Sequence, residues 1–262
     1  MPHQSTIAAL SARIAQESGL LTAWVGMADP MVAGQLALED FDAITIDMQH
    51  GANDIASVRQ GIAQVTLGGK PTIVRIPVGQ FAVASRVLDL GAAGVIAPMI
   101  NSKADAKAFA AFMKFPPVGE RSWGPTVAVG LTGQSFDDYL AQGNRHAVAI
   151  AMVETKEALN ALDDILSTDG IDAVFVGPSD LSIALSNGAN VNPARADVAA
   201  ALEHVLARAH AHKKSACCFA PTPERAKDLA IKGYNLMAIG TDFGQLRSGA
   251  RAQISIARGQ SK

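Results

Sequence analysis

Two acidic residues, Glu154 and Asp180, each follow a short apolar run and precede a helix-like segment, in AIAMVET and AVFVGPSD. In a parallel α/β barrel the active site is built from the carboxyl-terminal ends of the strands, so acids that follow successive strands share one rim. Carboxylate oxygens suit a hard divalent cation and leave positions for water and substrate. The pair therefore predicts an open metal site, although either acid alone is equally consistent with capping the next helix.

Two further segments carry residues with acid–base or anion-binding chemistry. Asp47 and His50 lie three residues apart in IDMQHG, a spacing that fits a general base supported by a carboxylate. A rim histidine with only local hydrogen bonds is the alternative. Arg75 lies within the apolar segment TIVRIP, where a guanidinium must meet an anion. That anion is either a substrate or a rim acid such as Asp47.

The segment GPSD, residues 177–180, predicts a tight turn at the start of a helix. Backbone N–H groups at such a position can receive a carboxylate or a phosphate, and an ordinary turn is the alternative. The two cysteines, Cys217 and Cys218, are adjacent and point to opposite faces of a strand, so they cannot form an ordinary disulfide. Core positions in a reducing, cytoplasmic protein fit them better than a metal site.

The elements that position these residues alternate between strand and helix. Most of the strand-like runs are apolar throughout, which is typical of parallel strands buried on both faces. Eight runs are found, at 20–27, 43–50, 71–77, 93–99, 147–154, 173–180, 215–220 and 236–242. Helical patterns cover 56–69, 81–92, 103–115, 156–167, 196–213 and 223–233. The pattern predicts an α/β fold: a single (β/α)₈ TIM barrel domain spanning residues 1–262.

Other architectures and partners fit less well. A doubly wound open sheet is the alternative fold, but no strand is followed by the G-x-G-x-x-G turn that holds a dinucleotide. The connection at 115–144 is long and rich in Gly and Pro, and we expect it to cover the same rim. The formal net charge is −2 with scattered basic residues, which argues against a nucleic-acid partner. No signal-like or membrane-spanning run is found, so a soluble, unexported protein is expected.

Several motifs in the same order resemble the HpcH/HpaI aldolases over about residues 20–250. They are IDMQHG, TIVRIP, GVIAPMINS, FPPVGERSWGP, VETKEAL, DGIDAVFVGPSDLS and AIGTDFGQL. That family consists of metal-dependent class II pyruvate aldolases of the phosphoenolpyruvate/pyruvate barrel superfamily, including 4-hydroxy-2-oxoheptanedioate aldolase. The resemblance implies a divalent cation, Mg²⁺, Mn²⁺ or Co²⁺, held by Glu154 and Asp180.

The same resemblance implies roles for the remaining candidates. Arg75 would support the keto oxygen and the enolate, and Asp47 with His50 would form the acid–base dyad. The backbone at Gly177 and Ser179 would receive the carboxylate of pyruvate. The implied reaction cleaves or forms 4-hydroxy-2-oxo acids, to or from pyruvate and an aldehyde, through a metal-bound enolate.

The resemblance also implies a hexamer, built as a trimer of dimers that exchange the last helix, at about 243–258. A neighbouring subunit would close each active site, and Asp89 matches the family residue that reaches across the boundary. Two positions depart from the family pattern. Met152 stands where glutamine is common, which removes a hydrogen bond to pyruvate or to a metal-bound water. Gln49 stands where glutamate is frequent, which makes the rim less acidic.

Two alternatives to the aldolase remain at this stage. An oxaloacetate decarboxylase-type lyase would use the same site and the same enolate chemistry. A non-catalytic barrel that binds oxo acids would keep the anion pocket without turnover. Schiff-base chemistry is disfavoured, because the one rim lysine, Lys156, opens a helix beside Glu154, where its charged form is favoured.

Overall fold

The protein folds into a closed barrel of eight parallel strands that follow one another around the ring in chain order. Its structure, a computed structural model, describes residues 4–260, with side chains described from residue 10 onward. The strands are Leu20–Val25 (β1), Ala43–Asp47 (β2), Thr72–Arg75 (β3), Gly94–Ala97 (β4), Val148–Val153 (β5), Ala173–Val176 (β6), Ser215–Ala220 (β7) and Leu236–Ile239 (β8). Pairing of β1 with β8 closes the ring. The predicted (β/α)₈ barrel is confirmed.

The strand sequences are apolar throughout because both faces of the strands are buried. Every residue of β2 through β6 is buried. One face of the sheet fills the barrel interior with side chains such as Trp24, Ile73, Ile150 and Phe175, and the other face packs against the surrounding helices. A strand that meets water on neither side needs no polar alternation, which gives the continuous apolar runs of the sequence.

Helices surround the barrel and alternate with its strands. They are Gln4–Gln16 (α1), Pro30–Leu36 (α2), Ile55–Leu67 (α3), Ala82–Asp89 (α4), Lys103–Met113 (α5), Thr126–Thr132 (α6), Phe136–His146 (α7), Lys156–Asn160 (α8), Leu162–Leu166 (α9), Pro178–Leu185 (α10), Ala196–Ala211 (α11), Pro223–Lys232 (α12) and Asp242–Ala257 (α13). The six helical segments inferred from periodicity are confirmed, although 156–167 is divided between α8 and α9. Helix α1 was not predicted; its Leu10 and Ile14 belong to the core cluster of the barrel interior, together with Leu20 and Leu236.

The predicted strands are wrong at several carboxyl-terminal ends, where they extend too far. The run at 43–50 ends as a strand at Asp47, and the run at 173–180 ends at Val176. Gly177 and Pro178 stop β6, since proline has no N–H for the strand ladder and favours the first turn of a helix. Asp180 therefore lies in the first turn of α10 rather than at a strand end.

The connection at 115–144 is not a structureless loop, because it contains α6 and most of α7. The expectation that it covers the carboxyl-terminal rim is wrong, because α5 returns the chain to the amino-terminal end of the barrel before the connection begins. There Leu131 lies against Gly91, just before β4, and α7 leads directly into the start of β5. The Ser135 side chain accepts the N–H of Asp138 and caps α7, and Gly133 ends α6 with a φ of 68°. The high Gly and Pro content concealed these cap signals. Within residues 4–260, none of the helices is long and apolar enough to cross a membrane.

Candidate active site

A pocket of about 260 Å³ opens at the carboxyl-terminal end of the barrel, and most of the predicted site residues line it. Asp47 and Arg75 are the last residues of β2 and β3, and His50 follows in the turn after β2. The lining residues are Trp24, Gly26, Asp47, His50, Gly51, Arg75, Met152, Phe175, Gly177, Pro178, Ser179, Asp180, Phe219, Thr241 and Phe243. Glu154 lies directly after β5 and is 2% exposed, beneath this surface.

The anion that Arg75 meets within the chain is Asp47. Arg75 Nε lies 2.8 Å from Asp47 Oδ1, and Arg75 Nη2 lies 2.7 Å from Oδ2. Strand register explains the pair, because Asp47 and Arg75 are direct neighbours across β2 and β3. Burial alone raises the pKa of the Asp47 carboxyl, but the Arg75 guanidinium and the N–H groups of Gln49 and His50 bring that pKa below its ordinary value. Asp47 is thus held as a carboxylate.

The contact between Asp47 and His50 differs from the one the sequence suggested. The His50 backbone N–H, not its ring, donates to Asp47 Oδ1 at 3.4 Å. Among the described side chains, no hydrogen bond joins the imidazole to a carboxylate. The ring is exposed at the mouth of the pocket, where it can reach a ligand. Its pairing with Asp47 as an acid–base dyad stays a prediction.

Glu154 is a buried carboxyl group that forms no salt bridge with any described residue. Its Oε1 accepts the N–H of Met99 at 2.9 Å. Burial raises the pKa of Glu154 to about 7, and the negative charge of Asp180 adds to the rise, while the Met99 N–H and the Arg75 charge oppose it. A carboxyl group that resists ionisation beside a second carboxylate is the arrangement that a divalent cation neutralises.

The donor set fits such a cation with two protein ligands. A Cβ at Gly177 would lie 2.6 Å from Glu154 Oε2, so only glycine leaves the space in front of that oxygen open. Asp180 is exposed to the pocket in the first turn of α10. No group of three or more His, Cys, Asp or Glu residues suited to a metal occurs in the described part of the chain. The remaining coordination positions would therefore belong to water and substrate.

The rest of the pocket combines a helix start with an apolar wall. Gly177 caps α10 and Ser179 lies in its first turn, where backbone N–H groups have no partner within the helix. The wall is formed by Met152 and by the rings of Trp24, Phe175 and Phe219; the Trp24 ring centroid lies 5.6 Å from each of the other two. Small anions with an apolar portion suit this combination.

Asp89 lies outside this pocket. Its Oδ1 accepts a hydrogen bond from Arg121 Nη2 at 2.6 Å, so the two form an ion pair within the chain. The Asp89 side chain keeps 25% of its surface exposed. Its role at a subunit boundary stays a prediction.

Two residues of the rim were missed as functional candidates. Met99 donates its backbone N–H to Glu154 and has a φ of 56°, which is unusual for a residue with a side chain. Asp242 is 3% exposed and accepts the N–H groups of Gly26 and Met27, which ties the end of β8 to the end of β1. Asp242 follows a strand, as Glu154 does, so the same sequence signal could have found it.

A closed parallel barrel with buried carboxylates, an arginine and a helix start around one small pocket is typical of barrel enzymes acting on small anionic substrates. A family model described as HpcH/HpaI aldolase/citrate lyase matches residues 20–249. The chain belongs to this family, as its motifs suggested, and is on that ground a carbon–carbon lyase.

Individual relatives agree with the family match. The chain is 37% identical over 238 residues to a hydroxypyruvate/pyruvate aldolase of Rhizorhabdus wittichii, which covers 91% of this chain and 94% of the relative. It is 30% identical over 241 residues to a 5-keto-4-deoxy-D-glucarate aldolase of Escherichia coli, with 92% and 91% covered. A solved HpcH/HpaI aldolase/citrate lyase family protein from Burkholderia cenocepacia matches with a TM-score of 0.86 at 27% identity, over 96% of this chain and 99% of that one.

Proposed function

We propose that the protein is a divalent-metal-dependent aldolase that cleaves or forms 4-hydroxy-2-oxo acids, with pyruvate as the oxo-acid product or donor and an aldehyde as the partner. The observation that carries this proposal is the buried, uncompensated Glu154 beside Asp180 at the mouth of a small pocket. Family membership and the names of the two relatives, both aldolases, support the same reaction class.

Glu154 and Asp180 would hold the cation, Mg²⁺, Mn²⁺ or Co²⁺. When bound, the cation supplies Lewis-acid stabilisation of the charge on the 2-oxo oxygen. Arg75 uses two of its five N–H donors on Asp47 and lines the pocket, so further donors remain for the oxo acid. The backbone N–H groups at Gly177 and Ser179 receive the carboxylate of that acid.

Proton transfer falls to His50. In cleavage, its ring takes the proton of the 4-hydroxyl group as the carbon–carbon bond breaks and the aldehyde leaves. In the reverse direction, the protonated ring returns that proton to the new hydroxyl. Asp47 fixes Arg75 by a two-point contact and accepts the His50 backbone N–H, so one carboxylate positions the guanidinium and the turn that carries the imidazole. Met152 places a thioether on the wall where the family pattern has glutamine, so substrate is held there without a side-chain amide.

Exchange of the methyl protons of pyruvate in D₂O, followed by NMR with Mn²⁺ or with EDTA, tests the enolate half of this reaction. Metal-dependent exchange that EDTA abolishes is the expected result, and an aldehyde screen with pyruvate as donor follows. Absence of exchange with every divalent metal would contradict the proposal. Product analysis with oxaloacetate separates the decarboxylase, which releases carbon dioxide without requiring an aldehyde. Ligand-induced stabilisation without exchange would indicate a non-catalytic barrel.

The protein is further proposed to be a homo-oligomer, a hexamer built as a trimer of dimers that exchange α13. Within α13 only Asp242 is buried, while Phe243, Leu246, Ile254 and Ile256 expose 49%, 64%, 49% and 76% of their surfaces. A helix with this much exposed apolar surface is expected to pack against another subunit. Light scattering on Leu246→Glu tests this: a smaller species than the wild type is expected, and an unchanged mass would contradict the exchange.

A further inference from the structure

A second cavity, of about 630 Å³, lies at the end of the barrel opposite the candidate active site. It is bordered by α1, by the end of α7 and by the residues at the amino-terminal ends of β5, β6 and β7. The proposed reaction uses none of these residues. The cavity is larger than the active-site pocket of about 260 Å³, so it has room for a metabolite-sized ligand.

The charged side chains that line this cavity are mostly basic. They are Arg145 and His146 at the end of α7, Lys213 and Lys214 before β7, and Asp172 before β6. Asp172 is the one acid in the lining among residues whose side chains are described. Three permanent positive charges therefore face one carboxylate across a shared space.

The carboxylate of Asp172 is already compensated from the protein side. Its Oδ2 accepts Lys114 Nζ at 2.7 Å and the N–H of Ala149 at 2.7 Å. Lys114 is 2% exposed and lies behind the cavity wall. Asp172 and Lys114 thus neutralise each other, which leaves the positive charges of the lining without a counter-charge from Asp172.

The lining cations have few partners of their own. Lys214 Nζ donates to the carbonyl oxygen of Ile171 at 2.6 Å, whereas Arg145 and Lys213 form no ion pair with any residue from 10 to 260. The carboxyl ends of α7 and α11 supply about half a negative charge each, which is less than the lining cations carry. Consistent with a positive local field, burial and the charge of Arg145 lower the pKa of His146.

The backbone at Lys213 adopts a left-handed conformation. Lys213 follows the end of α11 with a φ of 56°, a region that favours glycine. Helix α12 ends in the same way but uses Gly233, with a φ of 105°. Lys213 can therefore be replaced by glycine without strain at this position.

We propose that this cavity is a binding site for a small anion carrying two or more negative charges, either a polycarboxylate or a phosphate compound. Arg145 and Lys213 would be the principal contacts, and Lys214 would add to them. Several cations around one half-open space favour a multivalent anion over a monovalent one, because each added charge gains a charge-assisted hydrogen bond.

Calorimetry and thermal unfolding of the whole protein test the proposal with two probes, citrate for carboxylates and inorganic pyrophosphate for phosphates. Both are added at constant ionic strength to protein stripped of metal on a chelating resin, so that neither metal chelation nor a competing chelator anion contributes. We expect at least one probe to bind and to raise the melting temperature, because a ligand that binds only the folded state stabilises it. Failure of both probes to bind would overturn the proposal.

A variant and a matched control locate the binding. Arg145→Ala with Lys213→Gly removes two charges, and the glycine suits the backbone at that position, so the fold is expected to persist. Lys107→Ala with Lys227→Ala removes two charges from exposed positions on α5 and α12. The first variant should weaken binding by about tenfold or more and the second by less than about twofold.

If both variants bind the anion equally weakly, the protein's net charge alone explains the binding, and the proposal is overturned. Binding that survives in the cavity variant but disappears in Arg75→Met would place the anion in the active site, with the same consequence. Because the test uses metal-free protein and no turnover, its outcome is independent of the proposed aldolase reaction.

Discussion

Asp47 and Glu154 are both buried carboxyl groups at the carboxyl-terminal rim, yet their environments shift their pKa values in opposite directions. Asp47 is 3% exposed and Glu154 is 2% exposed, so burial is nearly equal. Asp47 has a two-point contact with Arg75, and its pKa falls. Glu154 has one backbone N–H and a neighbouring carboxylate, and its pKa rises to about 7. One half of the rim, around Asp47, is thus paired within the chain, whereas the other half, around Glu154, has no salt bridge among the described residues and would be completed by the proposed cation.

The largest expected effect comes from removing the proposed ligands. Glu154→Gln and Asp180→Asn should each lower metal-dependent exchange of pyruvate protons by about a thousandfold, because the Lewis acid is no longer held. Circular dichroism should show a folded protein in both. The exposed Glu157→Gln, three residues beyond Glu154, serves as the control and should keep full exchange. Wild-type exchange rates in both variants would contradict a cation site at Glu154 and Asp180.

The ion pair between Asp47 and Arg75 can be tested by replacing either residue. Asp47→Ala leaves the buried Arg75 charge alone and should lower the free energy of unfolding by about 3–5 kcal/mol. Adding Arg75→Met should restore part of that loss, so the double variant costs less than the sum of the single ones. Urea unfolding measures all four proteins. Additive losses would mean that the two side chains do not depend on each other.

The raised pKa of Glu154 predicts that the stability of the metal-free protein depends on pH. The folded pKa of Glu154, about 7, lies above its ordinary value of 4.5. Its contribution to stability is therefore present below about pH 4.5 and is lost as the pH rises through about 7. Glu154→Gln removes this loss and should stabilise the metal-free protein at pH 8 by about 3 kcal/mol. Chemical unfolding in EDTA at pH 5 and pH 8 measures it.

Added Mn²⁺ gives a second test of Glu154 at pH 8. It should stabilise the wild type and leave the stability of Glu154→Gln unchanged. A variant that is less stable than the wild type at pH 8 in EDTA would show that ionised Glu154 is compensated within the chain after all.

The smallest effect is expected at Met99, which holds Glu154 through its backbone. Met99→Gly keeps the N–H and suits a φ of 56°, so unfolding free energy should change by less than about 1 kcal/mol and Mn²⁺ affinity should be retained. Titration calorimetry with Mn²⁺ checks this. A tenfold weaker affinity for Mn²⁺ would show that the Met99 thioether, and not only its backbone N–H, contributes to metal binding.

Most of the fold could be predicted from the sequence, because strands buried on both faces have continuous apolar runs. Eight apolar runs corresponded to eight strands, and helix periodicity located six further segments. The ends of the strands were less predictable, because the apolar run through Val176 continues into Gly177 and Pro178 before the acid appears. A pattern of hydrophobicity does not record where hydrogen-bonded pairing stops.

The candidate site was predictable as a set of residues but not as a set of contacts. The sequence left open whether Arg75 meets a substrate or Asp47, and strand register, a long-range property, produces the latter pairing. The neighbour of Asp47 in sequence, His50, contributes its backbone rather than its ring. The contribution of Met99 is also a backbone N–H, which has no residue-type signal and could not be found from the sequence.

Closure of the ring has a consequence for how the protein is made. Leu20 of β1 pairs with Leu236 of β8, across more than two hundred residues. During synthesis β1 emerges long before its second partner, so one edge of the growing sheet stays unpaired until the last strand appears. Asp242, which accepts the N–H groups of Gly26 and Met27, completes that seam. We expect late truncations to leave an aggregation-prone open sheet rather than a smaller working barrel.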